Sequence, residues 1–183
     1  AGDHAIVSDV VYGGTYRLFE RVRKRSANLE FSFVDLGDRA ALEAAVRPNT
    51  KLIWAETPTN PLLKVLDIAA LADFARKRGI RLAVDNTFAT PILQRPLELG
   101  AHLVMHSATK YLNGHSDMVG GMLVVGDDNE LEEQMTFLQN AVGGVQGPFD
   151  SFLALRGLEA LHLRMKAHWA NARVLAARLA THT

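Results

Sequence analysis

Apolar positions along the chain change period repeatedly, and each change marks an element. Ala5 to Asp9 reads as a short buried strand, with a turn at Tyr12-Gly13-Gly14 after it. From Thr15 to Lys24 the spacing becomes helical and predicts Leu18, Val22 and Phe19 on the inner face. Leu29-Glu30-Phe31-Ser32-Phe33-Val34 alternates at first and reads as a strand. Asp38 is placed to cap a short helix through Leu42 and Val46, which Pro48 stops. Lys51 to Ala55 is the next strand, and Glu56-Thr57-Pro58-Thr59-Asn60-Pro61 is a loop stiffened by its prolines.

The second half keeps this rhythm. Asp67 suits the N-cap of a helix from Ile68 to Arg78, where Ile68, Leu71, Ala72 and Ala75 recur at i, i+3, i+4 and i+7 and Gly79 ends the pattern. Ile80 to Val84 reads as a strand, apolar but for Arg81, as in a sheet covered on both faces. Leu103-Val104-Met105 and Met122-Leu123-Val124-Val125 are further strands, separated by a polar loop that contains Lys110. Leu131 to Leu138 reads as a helix, and Gly143-Gly144-Val145-Gln146-Gly147 as a turn between helices. From Leu158 onward, Leu161, Met165, Trp169, Ala172, Leu175 and Leu179 hold a helical period to the end. Strands alternating with amphipathic helices predict an α/β fold with a mostly parallel sheet.

Composition narrows the function classes. The 183 residues carry 20 Lys+Arg against 20 Asp+Glu, so no net charge points to nucleic acid or an anionic membrane. The basic run Arg21-Val22-Arg23-Lys24-Arg25 reads as a solvated helix end, where cations suit the helix dipole. With 0 Cys, disulfides and cysteine nucleophiles are excluded, and a cytoplasmic location is compatible. The apolar runs are too short to span a bilayer, and Ala1-Gly2-Asp3-His4 does not open a signal peptide. The missing initiator methionine, a strand within the first residues and an end inside a helical pattern suggest a piece of a longer protein.

In an open α/β sheet, ligands gather beyond the carboxyl ends of the strands. There the sequence places Tyr12, Glu56 to Asn60, Asp85 to Thr87, and His106 to Lys110. Lys110, just past a strand and near the hydroxyls of Ser107 and Thr109, suits a Schiff base to an aldehyde cofactor. Asp85 suits a partner for a cationic ring nitrogen, and Tyr12 offers a face for a flat ring to stack on. Together these predict pyridoxal 5'-phosphate and amino-acid chemistry. The histidines do not predict a metal: His102 and His106 lie apart along a strand, and His162 and His168 are not at i, i+4. The glycines at 143, 144 and 147 follow no strand, so they form neither a phosphate loop nor a dinucleotide fingerprint.

Four stretches carry a specific resemblance. Tyr12-Gly13-Gly14-Thr15-Tyr16-Arg17, Glu56-Thr57-Pro58-Thr59-Asn60-Pro61, Asp85-Asn86-Thr87-Phe88, and Ser107-Ala108-Thr109-Lys110 with the following Tyr111-Leu112-Asn113-Gly114-His115-Ser116-Asp117 resemble the Cys/Met-metabolism family of pyridoxal-phosphate enzymes. The similarity continues through Gln146-Gly147-Pro148-Phe149-Asp150 and Leu155-Arg156-Gly157-Leu158. It implies a three-layer, fold-type-I large domain of the aspartate-aminotransferase kind, truncated at both ends. Residues 1–157 would be its central part, and 158–183 the start of a long helix leading to an absent C-terminal domain.

By the same resemblance, Lys110 would be the Schiff-base lysine and Asp85 the ring-nitrogen partner. Ser107 and Thr109 would hold the phosphate, Thr87 would lie against the ring, and Asn60 would bond the ring hydroxyl. Tyr12 would stack on the ring and assist proton transfer, Arg17 would line the substrate side, and Glu56 would support the site. The implied activity is γ-elimination on a sulfur amino acid, with cystathionine γ-lyase first and γ-synthase or O-acylhomoserine sulfhydrylase as alternatives. A small amino-acid substrate and a homotetramer built of dimers are the implied partners. Each residue also has a plainer reading: Arg17 could pair with Glu20, and Ser107 and Thr109 could satisfy loop amides. A catalytically inactive binding or scaffold fragment is the rival from another class.

Overall fold

A computed structural model describes residues 2–182. Strands β1 (His4–Ser8), β2 (Glu30–Val34), β3 (Thr50–Glu56), β4 (Arg81–Asp85), β5 (Leu103–Ser107) and β6 (Gly121–Val125) form a 6-stranded sheet in the order β2-β1-β3-β4-β5-β6. All neighbours are parallel except β5 and β6, which pair antiparallel through the hairpin-like loop that carries Lys110. The order reverses between β1 and β3, so the chain leaves the sheet in opposite directions there and opens a crevice at the strand ends.

Helices cover both faces, which explains why β1 is buried throughout and β4 is buried beyond Arg81. On one face, Ile6, Ile53, Leu82 and Val84 pack against helix α2 (Arg39–Ala44) through Leu42 and helix α3 (Ile68–Arg76) through Leu71, Phe74 and Ala75. Asp38 caps α2 by accepting from the Ala40 and Ala41 amides, and Asp67 caps α3 by accepting from Ala70 N. Val46 lies beyond α2, which is shorter than its apolar pattern predicts.

On the other face, helix α1 covers the sheet over residues 13–26, with Gly13 and Gly14 in its first turn rather than in a free turn. Its centre, Arg17–Arg23, is wound as a π-helix. That wider winding rotates the face, and Leu18 and Val22, expected to point inward, stand 45% and 49% exposed. Phe19 takes the inward position, stacked on Phe31 at 5.0 Å and edge-on to Trp54 at 5.4 Å. The basic run is solvent-exposed as expected, and Lys24, not Arg17, pairs with Glu20.

Beyond β4 lie the short helix α4 (Thr90–Leu93) and, directly after β5, the turn α5 (Ala108–Leu112). Helix α6 (Asn129–Val142) ends on left-handed Gly143, leading into the expected glycine turn. The helical pattern from Leu158 is split. Helix α7 (Pro148–Glu159) ends at Ala160, and α8 (Leu161–Ala180) begins afresh. In α8, Leu161 and Met165 are buried against Leu112, whereas Trp169, Leu175 and Leu179 remain exposed. Among the described residues, no helix is long and apolar enough to cross a membrane.

Candidate active site

A cavity of about 400 Å³ opens where β1 and β3 part, and it gathers residues from four loops. Tyr12, Glu56, Asn60, Asp85, Thr87, Ser107, Thr109 and Lys110 all line it. Of the residues expected in the site, Arg17 alone does not: its guanidinium is folded back over Gly13 at the helix surface. Pro58 and Phe88, which lie in the stretches that carry the resemblance but were given no role there, also line the cavity, as do Met105 and Val119, which no sequence signal singled out. They supply apolar walls, which motif reasoning tuned to polar chemistry passes over.

Asp85 ends β4 and is buried, with Oδ1 accepting from Thr87 Oγ1 at 2.6 Å and from Thr87 N at 3.0 Å. Burial pushes its pKa up, and the Thr87 bonds oppose the shift. The Thr87 hydroxyl in turn accepts from Ser107 N at 2.9 Å, so the ends of β4 and β5 are tied through one side chain.

Glu56 lies beside Asp85 in the β3–β4 register. Its Oε2 accepts from Tyr12 N and its Oε1 from Asn60 N, each at 2.8 Å, so one buried carboxylate joins the loops bearing Tyr12 and Asn60. Burial raises its pKa, the two amides oppose this, and the nearby Asp85 charge adds to the rise. The Tyr12 ring occupies space that only glycine at position 14 leaves open, since a Cβ there would sit 2.4 Å from Tyr12 Cε1.

Lys110 is exposed into the cavity, and its backbone, at φ −95 and ψ −128, breaks the helical path of α5. Thr109 is committed locally: its hydroxyl accepts from Gly120 N at 3.0 Å and donates to Gly120 O at 3.2 Å. These bonds brace the loop while Thr109 still lines the cavity, and no hydrogen bond among the described residues engages the Ser107 hydroxyl. Asn86 and Gln94 lock the loop from outside, with Gln94 Nε2 donating to Asn86 Oδ1 and Thr57 O, both at 2.9 Å.

This donor set fits pyridoxal 5'-phosphate. A buried carboxylate with no ion-pair partner among the described residues suits a protonated ring nitrogen, and an accessible lysine amine suits the aldehyde. Ser107 offers a hydroxyl to the phosphate, and Tyr12 a face to the ring.

Comparison with known proteins agrees with this chemistry. The family model described as Cys/Met metabolism PLP-dependent enzyme matches residues 1–183. The chain is 58% identical to a cystathionine beta-lyase of Coxiella burnetii over 99% of its own length and 47% of the relative's. It is 55% identical to a cystathionine gamma-lyase of Bacillus subtilis, covering 100% of this chain and 48% of the other. Against a probable cystathionine gamma-synthase of Herpetosiphon aurantiacus it is also 55% identical, covering 100% and 56%. Among solved structures, cystathionine gamma-lyase from Lactobacillus plantarum complexed with L-serine superposes with a TM-score of 0.96 at 48% identity, over 100% of this chain and 47% of that one. The chain thus spans about half the length of the relatives it matches.

Proposed function

The chain belongs to the Cys/Met metabolism family of PLP-dependent enzymes, and on that premise we propose that it carries the cofactor-binding half of a carbon–sulfur lyase. The preferred reaction is γ-elimination of cystathionine with water to cysteine, 2-oxobutanoate and ammonia. What carries the reading is the convergence of Lys110, Asp85 and Tyr12 on one cavity at the sheet's switch point.

When bound, pyridoxal 5'-phosphate supplies an electron sink for charge left on the substrate's α-carbon. The chain's own groups provide the rest. Lys110 Nζ would hold the cofactor through its aldehyde carbon and, once the substrate amine displaces it, take the α-proton. Asp85 would keep a proton on the ring nitrogen, with Thr87 holding its carboxylate in place through Oδ1. Tyr12 would stack on the ring and stand ready to pass a proton to the departing sulfur. Asn60, fixed through its backbone by Glu56, would meet the ring hydroxyl. Arg17 would reach the substrate side only by leaving Gly13.

A β-lyase reading is the second one, favoured by the 58% identity to the Coxiella burnetii relative. Incubating the intact protein with cofactor and cystathionine separates them. Cysteine with 2-oxobutanoate supports the γ-lyase, whereas homocysteine with pyruvate supports the β-lyase. Cystathionine left intact while acylated homoserine and cysteine condense would sink both and leave the γ-synthase. For the intact protein a homotetramer and a cytoplasmic location are the companion proposals, which size measurement and fractionation would test.

A further inference from the structure

Arg164 lies on α8, far along the chain from the cavity, yet its guanidinium reaches the turn that carries Lys110. Nη1 donates to Tyr111 O at 2.6 Å, and Nη2 donates to Leu112 O at 3.2 Å and Gly157 O at 2.6 Å. Carbonyls at the end of a helical turn have no partner within it, so a cation placed there satisfies them and complements their dipoles. Burial lowers the Arg164 pKa, because the group has exchanged water for these carbonyls.

Glycines make the approach possible. A Cβ at Gly114 would lie 2.0 Å from Arg164 Nη1, and Gly114 is left-handed at φ +78. A Cβ at Gly157 would lie 2.2 Å from the backbone oxygen of Asn113. From the next turn of α8, His168 packs its ring on Tyr111 at 5.4 Å, and Met165 buries itself beside Leu112. The kink at Lys110 thus sits between a strand end and a segment gripped by α8.

We propose that Arg164 is a positioning residue for Lys110, clamping the carbonyls of Tyr111 and Leu112 so that the kinked backbone aims the lysine amine into the cavity. The proposal rests on the reading of Lys110 as the cofactor-bearing lysine. It makes α8 a lever: a displacement of that helix moves the reacting amine, not only the protein surface.

Two variants of the intact protein test it, with Arg178→Met, an exposed arginine on the same helix, as control. Arg164→Met keeps the stem and removes the donors, whereas Gly157→Ala keeps the arginine and pushes the loop away. Hydrogen exchange without cofactor should quicken at least about tenfold in residues 108–114 of both variants, with residues 81–85 unchanged. With cofactor loaded, the visible band of the lysine-bound form should titrate at a different pH from wild type. Unchanged exchange in 108–114, or an unshifted band in both variants, would overturn the proposal. If Arg164→Met does not fold, Gly157→Ala decides by the same readouts. Borohydride fixation and peptide mapping of wild type tests the underlying reading separately. Cofactor fixed elsewhere than Lys110 would sink that reading and this proposal's function together, while the exchange data would still report the clamp itself.

Discussion

The Thr87 hydroxyl donates to Asp85 Oδ1 at 2.6 Å while accepting from Ser107 N at 2.9 Å, so the carboxylate is oriented by a bridge between two strand ends. No cation faces it among the described residues, and burial raises its pKa. The sign follows from that direction: the folded chain binds the proton more readily than the unfolded one, so charge on Asp85 costs stability as pH rises through its raised pKa. Asp85→Asn keeps an oxygen for Thr87 and removes the charge. The variant without cofactor should be as stable as wild type or up to about 1 kcal/mol more so, yet bind pyridoxal phosphate at least about tenfold more weakly. Urea unfolding and a cofactor titration check both halves; a cofactor affinity equal to wild type would remove Asp85 from the site.

Among the described residues the Lys110 side chain makes no hydrogen bond, and it is exposed where the residue lines the cavity. Lys110→Ala should therefore shift stability by less than about 0.5 kcal/mol while abolishing the borohydride-fixed adduct and turnover. Steady turnover by this variant would refute the assignment.

Gly14→Ala probes Tyr12 without touching it. The new methyl would meet Tyr12 Cε1 at 2.4 Å, and because that ring is half exposed it can swing away instead of straining the core. Stability should stay within about 0.5 kcal/mol of wild type. Turnover should fall on the order of 100-fold, the usual result of a misplaced reacting group. Wild-type kcat in Gly14→Ala would show that Tyr12 does not act from its observed position.

Glu56→Gln tests the brace between loops. Each Glu56 oxygen now serves one amide, Tyr12 N or Asn60 N. A glutamine offers one oxygen and turns its NH₂ toward the other donor, leaving an N–H opposed in a buried place. A loss of roughly 1–3 kcal/mol is expected in denaturant unfolding, together with weaker cofactor binding. A stability equal to wild type would mean that water replaces the lost acceptor.

Much of this was legible in the sequence, for reasons that differ by element. Strands such as Ile80 to Val84 announce themselves because a sheet covered on both faces buries every position after Arg81 and keeps Leu82, Ala83 and Val84 apolar. Caps such as Asp38 and Asp67 are readable because one side chain satisfies a local amide. Tyr12, Asp85 and Lys110 could be placed together because strand ends converge in this topology. The face of α1 could not be read, since its π-winding departs from the period that the pattern assumes. Nor could the Arg164 grip, whose partners are backbone carbonyls and leave no trace in residue type.

His106 shows how a buried group outside the proposed chemistry sets the response to acid. It sits on β5 among Leu97, Val104, Leu112, Met122 and Leu158, and its Nδ1 has no partner among the described residues. Burial lowers its pKa, opposed by a backbone hydrogen bond at Asn86. An unfolded histidine titrates near 6.5, so the folded chain takes up its proton less readily. Its contribution is therefore fully present above about pH 6.5 and is lost as pH falls toward the lowered value. His4 and His102 are shifted down as well, chiefly by burial, and act in the same direction. Glu56 and Asp85, shifted up, act in the opposite one. A comparison with His106→Leu isolates the one residue, because leucine suits its apolar surroundings and the other groups cancel. Melting temperatures followed from about pH 7.5 to 5.5 should fall more steeply for wild type than for the variant. A constant gap between the two curves would mean that His106 takes up no proton on unfolding in that range.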